Sequence, residues 1–138
     1  MQQKPTRGER NNNPGNIRIS SANWNGKAPV SRDSAFETFD TPRNGIRALA
    51  KLLRNYQLIH GLDTIGDIID RWAPDVENDT NAYVAAVCGE CEVGADVEID
   101  LKSEKMLARL TKAIIRHENG RVIYSDDDIL AAVREALR

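Results

Sequence analysis

Several features that would classify the chain at once are missing from it. No apolar run approaches the roughly 20 residues that a helix needs to cross a bilayer, so membrane insertion is not expected. The opening M-Q-Q-K-P-T-R-G-E-R has no apolar centre, so no signal peptide is read there and synthesis in a host cytoplasm is expected. There is no basic excess: 19 Lys and Arg stand against 21 Asp and Glu, which argues against a dedicated nucleic-acid binder. The charges are uneven, however, with Lys4, Arg7, Arg10 and Arg18 at the start and acids crowding positions 75–104. A local basic patch facing a polyanion stays open. Cysteine is scarce, with Cys88 and Cys91 forming a lone C-G-E-C. A zinc site would want a second pair of ligands, and His60 and His117 stand at no metal spacing, so reduced thiols and no metal are expected.

What the chain does contain is a helical stripe ending in an acid. Within residues 106–120, Leu107, Leu110, Ile114 and Glu118 recur at steps of three or four and share one helix face. Asn119 and Gly120 then read as a helix stop. A carboxylate at the wet end of an apolar stripe is partly desolvated, which favours its neutral form and suits a proton donor. The bland alternative is that Glu118 simply ends the helix in solvent.

The 138 residues suffice for one domain, read as spanning 1–138 with an irregular segment over 1–13. Residues 16–20, N-I-R-I-S, alternate apolar with polar and predict a short strand, and 36–39, F-E-T-F, predict a second. Thr41 and Pro42 open a helix that Gly61 closes. Asp63 or Thr64, Asp79 or Thr80, Asp100 or Ser103, and Ser125 are caps for four further helices, and residues 122–124 are a third strand candidate. The expectation is an α+β fold, mostly helical, with a small N-terminal β-lobe.

Four segments carry a resemblance: N-N-N-P-G-N-I-R (11–18), F-E-T-F-D-T-P-R-N-G-I-R-A-L (36–49), R-W-A-P (71–74) and E-N-D-T-N-A-Y-V (77–84). Together they resemble a family of small phage and prophage proteins described as structural or virion-associated and placed near the lysozyme-like hydrolases. The order of asparagine-rich strand, aromatic strand and helix, then a tyrosine element, is also similar to bacterial glucosaminidases of the flagellar type. Those enzymes carry their catalytic glutamate on a helix before the asparagine strand, where this chain has only ten residues. A-I-I-R-H-E-N (113–119) is similar to the helix end that bears the single catalytic acid of lytic transglycosylases. The resemblance therefore implies a lysozyme-like domain whose acid-bearing helix comes late, as in a circular permutation.

It also implies a function: a peptidoglycan-cleaving glycosidase, muramidase or lytic transglycosylase in type, acting as an endolysin or virion enzyme without cofactor. Glu118 is the first candidate for the acid. Glu9 is its rival, because E-R-N-N-N-P also mimics a transglycosylase pattern, although Arg7 and Arg10 flank it and cations lower a carboxylate pKa. Tyr83 is implied beside the reacting centre, or else is a core aromatic with its hydroxyl at the surface. Glu77 or Asp79 would supply a second carboxylate for an inverting hydrolase, at about 6.5–9.5 Å from the first, or Asp79 caps a helix. Asn12, Asn13 and Asn16, with Asn11, either bind acetamido groups or build a turn. Trp24 and Trp72 are candidates for stacking on sugar rings, with Trp72 favoured as core. Partners would be the glycan strand and a holin-type pore or other virion proteins, with action at the wall or periplasm or carriage in a virion. The alternatives are a non-catalytic virion structural or glycan-binding protein with the same fold, or a small regulatory interaction module.

Overall fold

The computed structural model describes residues 4–74 and 79–138. The described residues are mostly helical. In chain order the helices are α1 (Arg7–Arg10), α2 (Pro42–His60), α3 (Ile65–Trp72), α4 (Thr80–Cys91), α5 (Glu104–Asn119) and α6 (Asp126–Ala136).

The helix boundaries follow from local chemistry. Thr41, Thr64, Asp79, Ser103 and Ser125 each accept a backbone N–H of the first turn through the side chain, so the orphan donors of five helices are satisfied locally. Pro42 takes the first position of α2, where a missing N–H costs nothing. Gly61 and Gly120 close α2 and α5 in the left-handed conformation, with φ of 67° and 74°.

The expected β-lobe does not form. Among the described residues there are only isolated bridges, Arg18 with Phe36, Lys27 with Phe39, and Thr64 with Glu98; residues 122–124 form no strand. The physical reason lies in side chains that take the backbone groups a ladder would use. Asn13 accepts from the Ile17 N–H and donates to the Ile17 and Glu37 carbonyls, and Asp33 accepts from the N–H groups of Ala35 and Phe36. Two backbone bonds remain between the segments, Ile19 to Ala35 and Glu37 to Ile17, both 2.9 Å. Apolar–polar alternation was therefore a poor guide here, because asparagine and aspartate side chains compete with the ladder.

The segment read as irregular over 1–13 contains the single turn α1. Thr6 and Glu9 form a reciprocal capping box around it.

The core is built on α2, which packs against α6, α5 and α3, while α4 lies against α3 and α5. Leu49 and Leu53 of α2, Ile65, Ile68 and Ile69 of α3, Leu107, Leu110 and Ile114 of α5, and Ile129 and Val133 of α6 are all buried. The asparagine loop lies directly on α2: a Cβ on Gly45 would come within 1.7 Å of the Asn12 carbonyl oxygen. That close approach seats N-N-N-P-G-N against N-G-I-R-A-L in the fold. Among the described residues, no helix is long and apolar enough to cross a membrane.

Candidate functional site

The three apolar residues of the α5 stripe are fully buried, and Glu118, one turn beyond Ile114, is half-buried where the stripe emerges. Its two oxygens are held separately. Asn16 donates through Nδ2 to Oε1 at 2.8 Å, and Tyr83 donates its hydroxyl to Oε2 at 2.8 Å. Asn16 reaches the carboxylate from the left-handed backbone region, with φ of 53°, a conformation asparagine tolerates. Tyr83 comes from the first turn of α4, and its oxygen in turn accepts the Trp72 indole N–H at 3.0 Å.

Tyr83 is only 2% exposed, so its hydroxyl reaches the carboxylate from the protein interior. Burial, then the charge of Glu118, holds its phenol well above the usual tyrosine range, so it remains a neutral donor. The His117 ring packs on the Tyr83 ring, with centroids 3.8 Å apart.

In front of Glu118 opens a cleft of about 440 Å³. Trp24, Phe36, Tyr56 and Trp72 give it aromatic walls, and Asn16, Arg18 and Glu118 supply charged or polar groups. Glu118 is the one carboxylate among the described residues lining it. Phe36 carries the Arg7 and Arg18 guanidiniums at 4.4 and 5.1 Å from its ring centre. Rings on the walls and one acid at the edge give the cleft apolar faces and a single carboxyl group.

The other expected residues lie elsewhere. Asn12 donates to the Phe39 carbonyl and Asn13 is buried in the bonds described above, so both build the loop. Asp79 accepts from the Ala82 N–H as the cap of α4 and does not line the cleft. Glu77 lies outside the described residues. Glu9 is locked to Arg121, with N–O distances of 2.6 and 3.0 Å, and its side chain is 3% exposed. Hydrogen bonding to Arg121 is the main cause that lowers its pKa, while Arg7 pairs with Asp33 and Arg10 binds the Pro5 carbonyl. The expected cationic influence on Glu9 is real, but its source is 112 residues away.

Phe36, Tyr56 and Arg18 were missed as cleft residues. Leu52 and Tyr56, four apart at the edge of the α2 stripe, were the available signal. Nothing local marks Arg18.

Cys88 and Cys91 are free thiols near the end of α4. Among the described residues no group of three or more His, Cys, Asp and Glu is placed to hold a metal ion.

No protein-family model matches the chain. Over 126 residues, which make up 89% of this chain and 77% of the relative, it is 40% identical to protein P5 of Pseudoalteromonas phage PM2. The chain belongs to the family of that phage protein.

Proposed function

We propose that the chain is a lysozyme-like glycosidase that cleaves the β-1,4-linked glycan of peptidoglycan, with Glu118 as acid and then base. The observation that carries this reading is a single carboxylate, held by Asn16 and Tyr83, at the wall of an aromatic cleft. The glycosidic oxygen would take the proton of Glu118 as the bond to the anomeric carbon breaks through an oxocarbenium-like state. In the transglycosylase form, Glu118 then removes the proton of the sugar's own hydroxyl as that oxygen closes on the anomeric carbon. One carboxylate serves both steps, and the proton it gives is replaced by the one it takes. An inverting hydrolase would want a second carboxylate about 6.5–9.5 Å away. Among the described residues Glu118 is the one carboxylate lining the cleft, and Glu77, the other candidate, lies outside them.

The contact between the start of the chain and the acid helix supports the permuted order. The start of the chain lies against the end of α5, with Thr6 donating to Asn119, Asn119 donating to the Pro14 carbonyl, and Glu9 paired with Arg121. In this reading residues 1–138 act as one domain, on the wall, reached through a pore or carried in a virion.

One observation favours the non-catalytic reading, a virion structural or glycan-binding protein. Both oxygens of Glu118 already accept a hydrogen bond from the protein, as a purely structural carboxylate would. Product analysis separates the two. Purified peptidoglycan incubated with the protein should yield soluble glycan fragments, with an anhydro-sugar end in the transglycosylase form. Reducing ends would indicate hydrolysis instead, and an unchanged wall across several chemotypes would leave the structural reading.

A further inference from the structure

We infer that Trp72 is a positioning residue for Glu118, acting through the Tyr83 hydroxyl. The inference builds on the glycosidase reading above, but the coupling it describes can be measured without catalysis. Trp72 ends α3, and the turn after it is tied to α4 by Thr80 Oγ1, which donates to the Ala73 carbonyl at 2.5 Å. The bond holds the end of α3 against the start of α4, where the Trp72 indole meets Tyr83.

The three groups form a chain whose direction is fixed by chemistry. An indole N–H only donates, and an ionised carboxylate only accepts. The hydroxyl between them can do either, and a phenol hydrogen has two favourable positions, both in the ring plane. With the Trp72 N–H at 3.0 Å from the oxygen, the hydrogen of Tyr83 is directed to Glu118 at 2.8 Å. Burial keeps that hydrogen on the phenol.

The consequence reaches the acid. Tyr83 and Asn16 supply donors to both carboxylate oxygens from the protein side, so no acceptor there competes for the acidic proton. The proton is left to the lone pairs that face the cleft, where a glycosidic oxygen would lie. Removing the indole N–H takes away the donor that polarises and orients the hydroxyl, which weakens one of the two bonds that aim the carboxylate. Trp72 also lines the cleft, so stacking on a sugar is the competing explanation for any loss on mutation.

The test is a double-mutant cycle with W72F, which keeps a ring and removes the N–H, and Y83F. On solubilised glycan strands W72F should lower kcat about tenfold with KM within about twofold, because orientation rather than affinity is lost. In the Y83F background W72F should change kcat by less than about twofold. Independent losses that multiply, or a raised KM with unchanged kcat, would overturn the proposal in favour of stacking. A second measurement keeps Trp72 native. The NMR resonance of its indole proton should move on E118Q when Tyr83 is present and stay in place when Tyr83 is already Phe. An indole proton indifferent to E118Q would also overturn the coupling. Absence of cleavage by the native protein, with the indole proton still following Glu118, would remove the glycosidase reading and leave the coupling standing.

Discussion

Glu9 and Arg121 are joined by two charge-assisted hydrogen bonds, at 2.6 and 3.0 Å, across 112 residues of sequence. Glu9 also accepts from the Thr6 N–H at 2.9 Å, so one buried carboxylate caps α1 and clamps it to the chain just past α5. This is the arrangement of a structural acid. Arg121→Ala should lower stability measurably, because it leaves that carboxylate without its cation. Urea unfolding measures it.

The same pair gives a pH dependence with a defined sign. The folded state lowers the pKa of Glu9 from its ordinary 4.5, mainly through Arg121. Its contribution is therefore complete above the unfolded pKa and is lost as pH falls through the lower folded value. Between pH 6 and about pH 3 the native protein should lose more stability than Glu9→Gln. Equal pH slopes for the two proteins would contradict the clamp.

Gly45 tests the seat of the asparagine loop on α2. A Cβ there would overlap the Asn12 carbonyl, which is backbone and cannot rotate away. Gly45→Ala should destabilise by about 3 kcal/mol or more, despite alanine's better helix propensity. It should also reduce cleavage, since displacing the loop displaces Asn16. A thermal melt equal to that of the native protein would refute the close approach.

Asn16 separates backbone from chemistry. Asn16→Gly keeps access to the left-handed conformation and removes the donor to Glu118, so activity should fall about tenfold or more with modest change in stability. Asn16→Ala should lose the same activity and about 1 kcal/mol of stability besides. Paired activity and unfolding measurements on both variants check this.

Cys91 is buried, and burial is the chief cause that pushes its thiol up to about 11. At pH 8 it should react with a disulfide reagent far more slowly than a free thiol with its ordinary pKa of about 8.5. Denaturant should restore the fast rate. Rapid labelling of both cysteines in native buffer would mean that α4 opens readily.

The helical frame was legible because each helix announces its own ends. Thr41-Pro42, Gly61, Ser103, Gly120 and Ser125 act within one turn of themselves, and the structure uses each as a cap. The stripe from Leu107 to Glu118 was legible for the same reason: periodicity is local. What failed was the β-lobe, where Asn13 and Asp33 side chains occupy backbone groups that strand pairing needed. Tertiary partners were not legible either. Nothing near Glu9 indicates Arg121, and nothing near Trp72 indicates that its N–H meets Tyr83. Glu118, Tyr83 and Asn16 were each singled out from the sequence. That they meet at one carboxylate depends on a fold that brings three distant segments together.

The most direct measurement is cleavage of purified cell wall by the native protein, Glu118→Gln and Glu9→Gln, each first shown to be folded. The native protein should release glycan fragments, and Glu118→Gln should lose at least about a hundredfold in rate. Glu9→Gln should retain activity wherever it remains folded. Full activity in folded Glu118→Gln, or its loss only in folded Glu9→Gln, would contradict the assignment of Glu118 as the acid.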